Sequence, residues 1–148
     1  MKRTVKQFLC MLLVLAISVS ICIVPAAASL HSSLYLDAYR AWLTPRSGGR
    51  IIVAVDVQAL DFMDEIGAKR IEIFESKNSG RTWTSEKIYL SSTTPGMYIT
   101  NAFYYYDDPV TYYGTPGYKY YADVTVYAGD STGSDSRVYS TPVVTAIS

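Results

Sequence analysis

Nearly every segment after Leu34 alternates between apolar and polar positions. "IIVAVDVQA" sets Ile51, Val53, Val55, Val57 and Ala59 on one side, and Asp56 and Gln58 on the other. A period of two is the signature of a strand with one face buried. "KRIEIFE" turns Ile71 and Ile73 one way, and Arg70, Glu72 and Phe74 the other. "YKYYADVTVYA" sets Tyr118, Tyr120, Ala122, Val124 and Val126 against Lys119, Tyr121, Asp123, Thr125 and Tyr127. "RVYSTPVVTAI" ends the pattern. Its Pro142 cannot donate to a ladder, which predicts an edge strand or a bulge there.

Turn signals fall between these runs: "PRSGGR", "NSG" at 78–80, "TTPG" before Met97, "GTPG" before Tyr118 and "GDSTGSD" near the end. The spacing predicts strands over 34–44, 51–59, 69–76, 82–90, 97–106, 118–128 and 136–147, with a short extra piece over 110–113. "LDFMDEIG", 60–67, breaks the alternation. It reads as a helical turn crossing from one sheet to another, with Phe62, Met63 or Ile66 closing the end of the core. Short strands and frequent turns in one domain predict an all-β, antiparallel β-sandwich of about seven strands, immunoglobulin-like or fibronectin type III-like. A propeller would need a repeat of roughly 40–50 residues, and none is visible.

The first 28 residues stand apart. Lys2, Arg3 and Lys6 precede an apolar run over 8–24, and "PAAAS" follows with Ala26 and Ala28 at small-residue positions. This is the order of a secretory signal cut after Ala28. The alternative, an uncleaved anchor, meets the difficulty that the run lies at the short edge of a membrane span. Both cysteines, Cys10 and Cys22, fall inside this segment, and neither follows the small residue that lipoprotein processing requires. The expected mature domain, 29–148, is therefore a secreted chain without disulfides, stabilised by its core alone. Without the three basic residues of the signal it carries ten basic against thirteen acidic side chains, a net of −3. With no basic run, nucleic acid is not an expected partner, nor is the membrane once the signal is removed. No sorting motif or apolar tail follows Ile147, so cell-wall linkage is not expected.

"ESKNSGRTW" raises the question of chemistry. Ser76, Asn78, Gly80, Thr82 and Trp83 resemble the Asp box of sialidase propellers, with Asn in place of Asp. In those enzymes the box is a structural hairpin away from the catalytic residues. Each residue type also has a turn role: Asn78 as a local acceptor, Gly80 for positive φ, and Trp83 as a lid over the hairpin. "TPGYKYYADVTVYA" resembles the sixth strand of fibronectin type III domains. That likeness implies a corner tyrosine whose hydroxyl bonds back to the backbone, here Tyr120, with Tyr118 as the alternative.

Most of 34–147 also resembles a family of small secreted proteins of Gram-positive, gut-type bacteria. The resemblance rests on "YxAxLxxxxGGxIxVxVxV" at 39–57, "MDxIG" at 63–67, "IxIxES…W" at 71–83 and "YYGTPGYKYYADVTVYAG" at 112–129. It implies the immunoglobulin-like fold and a secreted location, and no particular activity.

Tyrosine is the compositional anomaly, with 14 in the chain. Tyr121 and Tyr127 share the outer side of one predicted strand, while Tyr104, Tyr106, Tyr112 and Tyr113 crowd a neighbour. Phe74, Tyr106, Tyr121 and Tyr127, if gathered, would make a binding face for a protein or a glycan. The competing reading is cross-strand pairing that only stabilises the sheet, at about 0.2–1 kcal/mol a pair. Asp107 with Asp108, and Asp130 with Asp135, lack the ligand spacing of a calcium loop. His31, the one histidine, falls near the expected new N-terminus. Zinc and Ser–His–Asp chemistry therefore find no frame. The residues lead to a non-enzymatic secreted binding or adhesion module without metal or cofactor. The alternative is a carbohydrate-binding protein using exposed tyrosines. A glycan-processing enzyme is suggested by the Asp-box likeness alone.

Overall fold

The computed structural model describes residues 33–148. The expected signal, 1–28, and His31 lie outside the described residues. The seven strands are β1 (Leu36–Pro45), β2 (Arg50–Ser76), β3 (Thr84–Leu90), β4 (Tyr98–Tyr113), β5 (Lys119–Asp130), β6 (Gly133–Ser140) and β7 (Val144–Thr145). Every pairing is antiparallel, in one curled sheet ordered β1-β2-β5-β6. β3 and β4 also pair with β2, and β7 pairs with β5. Among the described residues no helix is long and apolar enough to cross a membrane.

β2 organises the molecule because its 27 residues have different neighbours along their length. Its first half runs between β1 and the second half of β4, with Asp56 opposite both Arg40 and Tyr106. Its second half runs between β5 and β3, with Ile71 opposite both Val124 and Tyr89. Between the halves, Met63 to Gly67 pair with the start of β4.

The stretch 60–67 is thus strand, not the helical turn expected from its broken alternation. The break has another cause. From Gln58 to Met63, β2 advances five residues while β4 advances two, from Tyr104 to Ala102. A second irregularity falls between Ala68 and Arg70 along β5, leaving Lys69 unpaired there. An odd number of inserted residues flips every later side chain to the other face. The buried set keeps its phase from Val55, Val57 and Ala59 to Met63, moves by one position at Ile66 and Ala68, and moves back across the Lys69 irregularity to Ile71 and Ile73, while Phe62 is exposed. Gly67 lies at this passage with φ +148, and a Cβ there would come within 2.6 Å of Tyr98 Cα. Only glycine lets β2 pass so close to the start of β4.

The core is one cluster. Val53, Val55, Ile71, Ile73, Val124 and Val126 are fully buried in it, together with Ile51, Val57, Ile66, Met97, Tyr105 and Tyr120. Burying a Val or Ile side chain stabilises by about 1.5–3 kcal/mol, so these twelve outweigh any surface ion pair. The expected strand over 136–147 is divided in two at Pro142: β6 pairs with Asp123–Asp130, and β7 with Lys119 and Tyr120. Thr141 bridges the break, its Oγ1 accepting from Ala122 N at 2.9 Å. The extra piece expected over 110–113 is the end of β4, not a separate strand.

Candidate functional site

The outward positions on the first half of β2 form a regular array. Ala38, Gln58 and Tyr104 make one row across β1, β2 and β4, and Arg40, Asp56 and Tyr106 make the next. Trp42 stands opposite Ala54 in the third row. Antiparallel strands lie about 4.8 Å apart, so side chains from three strands converge within reach of one another. The rings of Trp42 and Tyr106 meet across β2, with centroids 6.0 Å apart and planes 30° from parallel. Ala54 is 2% exposed despite its outward phase. Its small side chain lets the larger ones close over β2.

Arg40 aligns with Asp56: its Nε and Nη2 each approach Oδ2 at 2.8 Å. Its guanidinium carbon also lies 5.3 Å from the Trp42 ring centroid, a cation–π distance. The Asp56 side chain is 13% exposed and that of Arg40 67%, so solvent screens much of the attraction. The Tyr104 hydroxyl is held above the ordinary phenol value, by burial first and then by the charge and hydrogen bonding of Asp56. Ala38 leaves room beside these groups. A hollow of about 270 Å³ is lined by Ala38, Tyr39, Arg40, Asp56 and Gln58. Tyr104 and Tyr106 are 45% and 56% exposed.

The four residues expected to form a binding face divide into separate places. Phe74 and Tyr121 pair across β2 and β5 and stack at 4.7 Å with planes 5° apart. Trp83 meets Tyr121 edge-on at 4.8 Å. Tyr127 stands opposite Gly67, its ring 4.3 Å from Lys69 Nζ, and the same ammonium lies 5.2 Å from Tyr98. Tyr106 belongs to the other half of β2, with Trp42. Trp42, Arg40 and Asp56 were not singled out by sequence reasoning, which followed the tyrosines. The available signal was Trp42 itself, a bulky ring between inward-facing Ala41 and Leu43.

The hairpin residues act on one another. Asn78 Oδ1 accepts from Thr82 N at 2.9 Å and from Ser76 Oγ at 3.0 Å, while Asn78 Nδ2 donates to Thr82 Oγ1 at 2.8 Å. Gly80, with φ +94, donates its N–H to Ser76 Oγ, and Trp83 lies over it. Tyr120 is fully buried. Its hydroxyl accepts from Thr115 N at 2.8 Å and donates to the carboxylate of buried Glu75. Burial first, and then this bond to Glu75, pushes the Tyr120 hydroxyl well above the ordinary phenol range.

Asp130 is occupied by its own turn, accepting from Thr132 N, Thr132 Oγ1 and Gly133 N, which holds its carboxyl below the usual range. Asp135 accepts from Ser136 N and pairs with Arg137. Among the described residues no three His, Cys, Asp or Glu side chains gather as metal ligands would. A second hollow, about 560 Å³, follows β3 and is lined by Ser91 to Gly96 with Tyr98, Ile99 and Thr100. Its lining holds no charged side chain, and Tyr98 is the one aromatic residue in it.

No family model, no curated protein and no solved structure matches this chain.

Proposed function

We propose that this chain is a secreted, non-enzymatic recognition module of fibronectin type III-like architecture, binding through the outward face of β1, β2 and β4. The pairing order supports the architecture. β1, the first half of β2 and the second half of β4 make one layer; β3, the second half of β2, β5 and β6 make the other. β2 passes between the layers at its bulges, and the aliphatic cluster fills the space between them. The buried Tyr120, bonded to the backbone of Thr115, stands where such domains place their corner tyrosine. The leader-like residues 1–28 and the absence of cysteine from 29–148 support secretion. The likeness to small secreted proteins of Gram-positive bacteria belongs to the same reading.

One observation carries the functional part. Trp42 and Tyr106 form an aromatic platform directly beside the Arg40–Asp56 pair, on a face where Tyr104 and Tyr106 remain half exposed. Aromatic and Arg side chains grouped on an open surface are the residue types that dominate binding energy at interfaces. The test is adhesion of the 29–148 chain to immobilised mucin, matrix proteins and bacterial cell wall. Wild type should be retained on at least one of these surfaces. The Trp42→Ala/Tyr106→Ala double variant should lose that retention, and Tyr113→Ala, an exposed tyrosine farther along β4, should keep it. Equal retention of wild type and double variant would reject this face.

A further inference from the structure

We infer that the end of the fold at which the chain enters docks on a neutral lipid bilayer while residues 1–28 remain attached. This rests on the leader reading of those residues and not on the Trp42–Tyr106 face. Three features carry it. The first is a cluster of apolar side chains left in water. Leu34, Leu60, Phe62 and Phe103 are between 50% and 79% exposed. Phe62 and Phe103 meet edge-on with ring centroids 5.3 Å apart. Leu60 stands two positions before Phe62, and its N–H donates to Tyr35 O at 3.2 Å, which brings Leu34 and Tyr35 alongside. The cluster has its origin in the large bulge of β2. Between Gln58 and Met63, β2 has four residues where β4 has only Phe103, between Tyr104 and Ala102. Single exposed leucines are ordinary, but large apolar side chains gathered from three segments mark an interaction surface.

The second feature is where the chain arrives. Ser33 Oγ accepts from Tyr35 N at 3.1 Å and from Leu36 N at 2.7 Å, so the entry point is pinned beside this cluster. The apolar run over 8–24 ends nine positions before Ser33. Nine residues span about 30 Å at most. A run lodged in a bilayer therefore keeps the cluster within that reach of the same bilayer. Tethering raises the effective concentration, so even a weak contact is populated. Cleavage after Ala28 removes the tether, and four side chains alone then hold the domain only weakly.

The third feature is charge. Asp61 and Asp64 flank Phe62 and are both exposed. Asp61 Oδ1 accepts from Phe62 N at 2.7 Å, which holds that carboxylate beside the ring. Lys69, the cation nearest in sequence, is paired with Glu65. Anionic lipid strengthens interfacial binding only where the protein is basic. This end is acidic, so a zwitterionic surface suits it and an anionic one repels it. A second copy seated on the cluster about a two-fold axis would set these carboxylates against their own counterparts, which makes the bilayer the better occupant.

The test uses the full chain. Both cysteines lie in the leader, so Cys10→Ser with Cys22→Ser frees the chain of thiols. Phe62→Cys is then labelled with a polarity-sensitive nitrobenzoxadiazole probe. Tyr113→Cys, at an exposed position opposite Arg50 and far along β4 from Phe103, is the control. Thermal melts of both labelled chains establish that they are folded. On phosphatidylcholine vesicles the probe at position 62 should shift to the blue and be quenched by spin-labelled lipid. The probe at position 113 should keep its aqueous emission. Adding Leu60→Ser and Phe103→Ser should return the probe at position 62 to its aqueous emission. Vesicles with half their lipid replaced by phosphatidylglycerol should give a smaller shift.

Four results would overturn the inference: no shift at position 62 on vesicles, equal shifts at positions 62 and 113, a shift unchanged by the two serine substitutions, or a larger shift on anionic vesicles. A shift that is present without vesicles and rises with protein concentration would assign the cluster to a second copy instead. If the full chain floats with vesicles while the probe at position 62 stays aqueous, the leader reading stands and only this inference falls. If the full chain does not float with vesicles at all, the leader reading falls with it.

Discussion

Two aromatic groups of similar make-up sit on the two halves of β2 and do different physical work. Phe74, Tyr121 and Trp83 spend their faces on one another, stacked at 4.7 Å and edge-on at 4.8 Å. They close the hairpin that Asn78 and Gly80 build. Trp42 and Tyr106 also touch, yet the Arg40 guanidinium lies 5.3 Å from the Trp42 ring and pairs with Asp56, which stands opposite Tyr106. An aromatic residue is a recognition element or a staple according to what lies next to it. Counting tyrosines cannot tell the two apart.

The largest expected effect severs the passage between the two halves. Gly67→Ala should destabilise by at least about 3 kcal/mol, because a Cβ would overlap Met97 and Tyr98 in a backbone conformation that L residues avoid. Chemical denaturation checks it; a loss below 1 kcal/mol, on the order of an ordinary glycine change, would mean the two halves are not rigidly joined there. Next comes Trp83→Ala, expected to cost about 2–3 kcal/mol by removing the lid of the hairpin. Trp42→Ala should cost roughly 1 kcal/mol or less and act on binding instead. If the two melts fall equally, the distinction between staple and platform is lost. Asn78→Ala follows at about 1–2 kcal/mol, since it removes three local hydrogen bonds that are partly replaceable by water.

Titration sharpens the contrast further. Tyr105 is pushed above the ordinary phenol range by burial first and then by the charges of Asp107 and Asp108, and Tyr120 by burial and Glu75. A raised folded-state pKa means the folded state holds its proton longer than the unfolded state. The stability this contributes is complete below pH about 10 and is lost as pH rises beyond it. Alkaline unfolding should therefore coincide with ionisation of these two hydroxyls, followed by tyrosinate absorbance and circular dichroism on the same sample. The smallest effect belongs to the platform: Asp56→Asn should lower the Tyr104 pKa toward the ordinary value, because the Asp56 charge helps to raise it. A ring-proton titration that leaves Tyr104 unmoved would show that burial alone sets it.

Much of the fold was legible in the residues because period two has one physical meaning. A strand with a buried side must alternate, and Val55 to Ala59, Ile71 with Ile73, and Tyr120 to Val126 do so without interruption. The stretch 60–67 was misread because an irregular alternation has two causes, a helix or a bulged strand. Only the pairing partner distinguishes them, and Ala102 and Tyr104, some forty residues away, are that partner. The hairpin was readable from Asn78, Gly80 and Trp83 because its hydrogen bonds are local.

The binding face was not readable, since it is a matter of register between segments far apart in the chain. Sequence alone determined which side of each strand is apolar and where the local turns form, because those depend on near neighbours and on water. Tertiary structure decided that Arg40, Asp56 and Tyr106 share one row while Phe74 and Tyr121 share another. Cross-strand register is set by how three distant segments pack their buried sides together, and the outward side chains inherit their company from that packing.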